Sequence, residues 1–123
     1  MNITLKLSGL GILFLIIIVT GLVMAKSGKP YNPVLFNIHK LISLATVLLG
    51  GIWVYNLAGS MDKDSLLITL IVAAMVLYIL LFITGGMLNL EKPFYDLLRF
   101  THKITSPIVI IITIILFYIL LKK

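Results

Sequence analysis

Apolar residues run in four long uncharged blocks, residues 7–25, 41–61, 65–90 and 104–121, and every charged residue falls between the blocks or at their edges. Each block is long enough to cross a hydrocarbon core of ~30 Å, which takes about 20 residues of helix. The pattern predicts helices over residues 5–24, 33–55, 65–89 and 94–121. Turn chemistry separates them: Lys26-Ser27-Gly28-Lys29-Pro30-Tyr31-Asn32-Pro33 after the first, residues 56–64 after the second and Glu91-Lys92-Pro93 after the third. Pro33 suits a first helical turn, whereas Pro107 lies inside the fourth helix and is expected to kink it by removing a backbone donor. The third block is longer than a crossing needs and should tilt. The expected fold is all-α, a four-transmembrane-helix bundle forming a single membrane domain over residues 1–123.

The chain also repeats itself. Lys29-Pro30-Tyr31 matches Lys92-Pro93-Phe94, Leu35 matches Leu98, His39-Lys40 matches His102-Lys103 and Ser43 matches Ser106, all at one constant offset. Upstream, Thr20-Gly21 matches Thr84-Gly85 with one extra position of slack. Two helix-pair repeats, 1–60 and 61–123, follow. Each contributes two spans, so they have the same topology, as in parallel repeats about an axis along the membrane normal. Both histidines are then expected at the same membrane face and depth, on helices that are diagonal partners in the bundle.

Composition sharpens this reading. The apolar fraction of 61% and mean hydropathy of +1.21 lie outside the soluble range, and the lipid bilayer is the expected surrounding. The net charge of +6 would suggest nucleic acid in a soluble protein. Here the Lys and Arg residues sit at helix ends, where they meet headgroups and set orientation, and no nucleic-acid partner is implied. The face holding the histidines carries Lys26, Lys29, Lys40, Lys92, Arg99 and Lys103, and the other carries Lys6, Lys63, Lys122 and Lys123. The positive-inside rule then leans toward a cytoplasmic histidine face, although the count evens out if Lys40 and Lys103 serve a site. The first apolar run exceeds the ~7–15 residues of a signal core, so it is expected to be kept as a span. The absence of cysteine excludes disulfides, thiolate metal sites and covalently attached c-type haem.

The chain contains two histidines, His39 and His102. In helical register with His39 lie Ser43, Thr46, Gly50 and Trp53; in register with His102 lie Ser106, Val109, Thr113 and Leu116. A membrane bundle turns small and polar residues inward, so both imidazoles are expected to face its interior. Two neutral imidazoles facing each other suit the axial positions of one iron. Neighbouring helices pack at ~8–10 Å, which sets diagonal ones roughly 11–14 Å apart, room for helix, histidine, iron, histidine and helix in line. A porphyrin there would need clearance from helices one and three, and Gly21 and Gly85 lie at that depth. Lys40 and Lys103 follow the histidines; their stems could carry the ammonium groups to haem propionates, while the ordinary behaviour of such lysines is to snorkel to headgroups.

The sequence Thr20-Gly21-Leu22-Val23-Met24, a short Gly/Pro/aromatic loop, and His39-Lys40-Leu41 opening a small-residue helix together resemble the helical core of bacterial membrane b-type cytochromes of the cytochrome b561 kind. The resemblance recurs in both halves. It implies a multi-pass protein of a bacterial or archaeal cell membrane that passes electrons between quinol and other carriers, an electron-transfer cytochrome rather than a hydrolase or transferase. By that resemblance His39 and His102 ligate one non-covalent haem b per chain, and Gly21 and Gly85 pack against it; the register and the reach of the lysine stems add Ser43, Ser106, Lys40 and Lys103 as candidate cofactor-binding residues. A quinone or a redox partner protein is the implied partner, and a homo-oligomer is compatible. Di-haem members often carry a further histidine about four turns along, which here falls near Trp53 and Leu116, so one haem is the limit.

Other readings of the same residues stay open. The His-Lys pairs could line the cavity of a small transporter or proton-handling protein, and a duplication copies a structural histidine as readily as a ligand. The small-residue faces could simply pack the helices of a non-catalytic assembly subunit. Met24 and Met87 carry thioethers near the same loops, but Met is also common apolar filler. Hydrolase triads, Walker loops and zinc signatures are absent from the sequence.

Overall fold

The computed structural model describes residues 2–28, 30–59, 64–88 and 94–122. Its elements are four α-helices: α1 (Ile3–Ser27), α2 (Pro33–Gly59), α3 (Ser65–Met87) and α4 (Tyr95–Lys122). All four are long and apolar enough to cross a membrane, at about 35 to 42 Å each. Their exposed faces are apolar too. Leu15, Leu22, Ile79 and Ile114 are each more than half exposed, a surface that acyl chains cover and water would oppose. The chain is an all-α, multi-pass integral membrane protein.

Helix ends are set by local hydrogen bonding. The Asn2 side chain accepts from the Leu5 amide at 2.8 Å and starts α1 two residues before the expected position. At the other end Gly28 takes φ 71°, a left-handed conformation that favours glycine, and its amide donates to the Met24 carbonyl. Asn32 caps α2 by accepting from Val34 and Leu35, with Pro33 in the first turn as expected. That helix continues to Gly59, a full turn past the expected end. Asp64 caps α3 through Leu67. The expected end of α3 at Asn89 and the Glu91-Lys92-Pro93 turn lie outside the described residues. Helix α4 remains continuous through Pro107.

The contacts divide the chain into two compact units, Met1–Trp53 and Val54–Lys123. In the first, α1 and α2 run antiparallel: the Lys6 ammonium lies 5.7 Å from the centre of the Trp53 ring at one end, and Thr20 meets His39 at the other. Between them a Cβ on Gly50 would stand 3.9 Å from Leu10. In the second, α3 and α4 pair antiparallel in the same manner. Their far end closes around Leu67, Leu116 and Leu120 together with Ala58 from the last turns of α2.

Several threonine hydroxyls bond within the helices that carry them. Thr46 donates to Ile42, Thr113 to Val109 and Thr101 to Leu97, each to a carbonyl four residues back. This back-bonding lets a polar residue enter an apolar medium without an unpaired proton. Among the described residues no buried side-chain nitrogen or oxygen lacks a hydrogen bond.

Candidate functional site

Each histidine meets a Thr-Gly step on the neighbouring helix of its own unit. In the first unit His39 Nδ1 lies 3.0 Å from Thr20 Oγ1. In the second His102 Nδ1 lies 3.1 Å from Thr84 Oγ1. Both threonines are buried and both histidines are half-buried. The same ring edges lie against the adjacent glycine: a Cβ on Gly21 would stand 3.1 Å from His39 Cε1, and one on Gly85 would stand 2.9 Å from His102 Cε1. Only a residue without a side chain lets the imidazole approach the helix backbone this closely.

The serines one turn further on repeat as well. Ser43 Oγ donates to the His39 carbonyl at 2.6 Å and Ser106 Oγ to the His102 carbonyl at 2.7 Å. Their hydroxyls therefore serve the backbone of the histidine turn. Thr, Gly, His and Ser thus recur as one four-residue arrangement in both halves, on the residues that the sequence repeat aligns.

Within each unit the helix face carrying the histidine turns toward the neighbouring helix. Along α2, Thr46 is buried, Gly50 is half-buried against Leu10 and Trp53 is half-buried against Lys6. Along α4, Val109 and Leu116 are buried, and Thr113 bonds Tyr78 at 2.7 Å. Lys40 is exposed with its ammonium 5.9 Å from the centre of the Phe36 ring, and Lys103 is exposed. Met24 is buried one turn beyond Thr20, while Met87 is exposed at the end of α3.

Sequence reasoning aligned Thr20 with Thr84 without giving either a role, and it read Gly21 and Gly85 as clearance for a porphyrin. The nearest neighbours of these glycines are the imidazoles themselves. The signal for the threonine contact was present: a hydroxyl stands beside each glycine, at the depth of the histidine on the next helix. The Tyr78–Thr113 bond belongs to the second half alone, since the aligned positions in the first are Phe14 and Gly50. Its signal was a phenol inside an otherwise apolar run.

Comparison of the chain with protein-family models, curated proteins and solved structures finds no match. The residues themselves therefore carry the functional argument. Clusters of three or more His, Cys, Asp or Glu side chains are absent among the described residues. Each imidazole has Nδ1 beside a threonine hydroxyl, and a partner on one ring nitrogen is the usual support of a histidine that ligates through the other.

Proposed function

We propose that the chain is an integral membrane b-type haem protein in which His39 and His102 hold one haem through Nε2, and that it works in electron transfer. One observation carries the reading: the two histidines of the chain sit in the same four-residue setting, each with Nδ1 on a buried threonine and Cε1 on a glycine. A structural histidine needs any one partner. Two that repeat the partner atom, the ring edge and the neighbouring glycine support a common task for both. The likeness of each half to the cytochrome b561-type core agrees with that task.

A haem held by two imidazoles would supply one-electron transfer. The chain's own residues would perform the rest. His39 and His102 would hold the iron, with Gly21 and Gly85 against each ring and Ser43 and Ser106 tying the histidine turns. Lys40 and Lys103 would receive the propionates at the interface, their stems lying along apolar surface. A haem near one face cannot alone carry an electron across a ~30 Å core, so transfer across the membrane requires a quinone or a redox partner protein.

The visible spectrum of the purified chain, expressed with ample haem and recorded with and without dithionite, tests the proposal. A Soret band with sharpened α and β bands on reduction is the expected result. A colourless protein would sink it, and pH-dependent flux from such a protein in liposomes would point instead to an ion-handling role for the same histidines.

A further inference from the structure

Arg99 and Lys103 stand one turn apart on the same side of α4, and both are exposed. The uncharged block of α4 begins at Ile104, which sets Lys103 at the edge of the hydrocarbon and Arg99 about 6 Å farther out. Headgroups occupy roughly 5–8 Å on each side of the core, so both cationic groups lie at the depth of lipid phosphates. Like charges four residues apart repel along a helix. Among the described residues neither side chain has an ion pair; Asp96, the carboxylate in the first turn of α4, is exposed and makes none with Arg99.

The first half treats the same position differently. Lys40 aligns with Lys103, but one turn before it stands Phe36, where the second half has Arg99. The Lys40 ammonium lies 5.9 Å from the centre of the Phe36 ring, and Tyr31 stacks on that ring at 6.3 Å with 24° between the planes. An aromatic face stabilises a single cation. Exchanging the ring for a guanidinium removes that partner and adds a second positive charge at the same place. An oxyanion bridging the two cations restores the balance: the planar guanidinium presents paired donors that match phosphate, and the ammonium adds a point charge.

The surroundings narrow the source of the oxyanion. Phe100 and Ile104 flank the pair, and Ile108 and Ile111 continue the lipid-facing side along α4; all four are exposed. A free phosphate gains nothing from that apolar track, and an acidic protein would have to enter the headgroup layer to reach Lys103. A phospholipid matches both parts, with phosphate on the cations and an acyl chain along the isoleucines. Two positive charges favour a headgroup with a net negative charge over a zwitterionic one. We propose that Arg99 and Lys103 form a headgroup site for one anionic phospholipid on the second helix pair, and that the first pair lacks its counterpart. The site does not rest on the haem reading above; under that reading a propionate would share Lys103, and Arg99 would stay with the lipid.

Native mass spectrometry of the full chain, released from detergent without haem, tests the proposal. The probes are phosphatidylglycerol and phosphatidylcholine with identical acyl chains, present in equal amounts. The wild-type chain is expected to retain one phosphatidylglycerol in preference to phosphatidylcholine. Arg99→Gln and Lys103→Gln should each weaken that preference about fivefold, and Arg99→Lys, which keeps the charge but loses the fork, should fall between. Lys40→Gln should leave it unchanged. Phe36→Arg rebuilds the pair in the first half and should add a second retained phosphatidylglycerol, a gain that no loss of folding can imitate. An excess of inorganic phosphate should leave the lipid in place. Equal retention of the two lipids by the wild-type chain would overturn the site. So would a loss at Lys40→Gln as large as that at Lys103→Gln, or a Phe36→Arg chain that gains no lipid. Displacement by inorganic phosphate would assign the pair to a free anion and overturn the lipid as its occupant.

Discussion

The imidazole of His102 rests on the backbone of Gly85 so closely that a Cβ added there would stand 2.9 Å from Cε1; the corresponding gap between His39 and Gly21 is 3.1 Å. The difference decides how the two repeats tolerate alanine. Replacing a glycine inside a helix brings about 1 kcal/mol of helix propensity, and overpacking costs ~1–3 kcal/mol. At Gly21 the ring can yield by a few tenths of an ångström and the two effects roughly cancel. At Gly85 it must move, and its bond to Thr84 opposes the movement. Gly85→Ala is therefore expected to lower stability by about 1–2 kcal/mol and to disturb His102, with Gly21→Ala within ~1 kcal/mol of the wild type. Gly86→Ala, with open space around the added carbon, is the control and should stabilise. Unfolding of the detergent-solubilised variants measures all three; equal losses at Gly21 and Gly85 would contradict the packing argument.

Thr20 and Gly21 meet His39, and Thr84 and Gly85 meet His102, so removing one histidine leaves these contacts of the other in place. Under the proposed haem reading, His39→Ala and His102→Ala are each expected to give a five-coordinate high-spin spectrum in place of a six-coordinate low-spin one. Added imidazole should restore the low-spin form in both. A low-spin spectrum that survives either substitution without imidazole would remove that residue as a ligand.

The four spans, the repeat and the helix faces that pack within each pair were legible in the sequence because hydropathy and register act over many residues at once. Helix ends were not: the apolar block marks where lipid begins, whereas capping by Asn2 and the left-handed Gly28 decide where α1 starts and stops. The threonine contacts escaped for a related reason. Periodicity states which face turns inward, but whether Thr20 Oγ1 meets His39 Nδ1 depends on the axial stagger of two helices, and no residue pattern within one helix encodes that. The unequal offsets of the Thr-Gly and His-Lys pairs are the trace of it, since threonine and histidine stand 19 positions apart in the first half and 18 in the second, and the contact is kept nonetheless.

The topology can be read chemically because the chain has no cysteine, which makes single introduced cysteines unambiguous reporters. Four crossings return the ends of α1 and α3 and the starts of α2 and α4 to one face. Cysteine introduced at Ser27 or at Asp96 is expected to react with an impermeant maleimide from the same side of sealed vesicles, and at Asn2 or Asn56 from the opposite side. Labelling of Ser27→Cys and Asp96→Cys from opposite sides would refute the four-span arrangement and any site shared by the two histidines.

Tyr78 and Thr113 give the second helix pair a polar link that the first lacks, and proton counting gives it a direction. Thr113 Oγ1 donates to the Val109 carbonyl at 2.7 Å, so in the 2.7 Å contact with Tyr78 it is the acceptor and the phenol donates. The two ends of this bond are then unequal under substitution. Tyr78→Phe removes the donor and leaves Thr113 bonded to its own helix; the expected loss is about 0.6 kcal/mol, the average for a hydrogen bond between membrane helices. Thr113→Val leaves a half-buried phenol without its acceptor among apolar side chains, which costs ~1–3 kcal/mol. The valine variant should therefore be the less stable of the two, and the double variant should fall close to Tyr78→Phe, because once the phenol is gone the threonine hydroxyl serves only its own backbone. Unfolding free energies of the three variants decide the matter: a phenylalanine variant weaker than the valine variant would reverse the assigned direction of the bond.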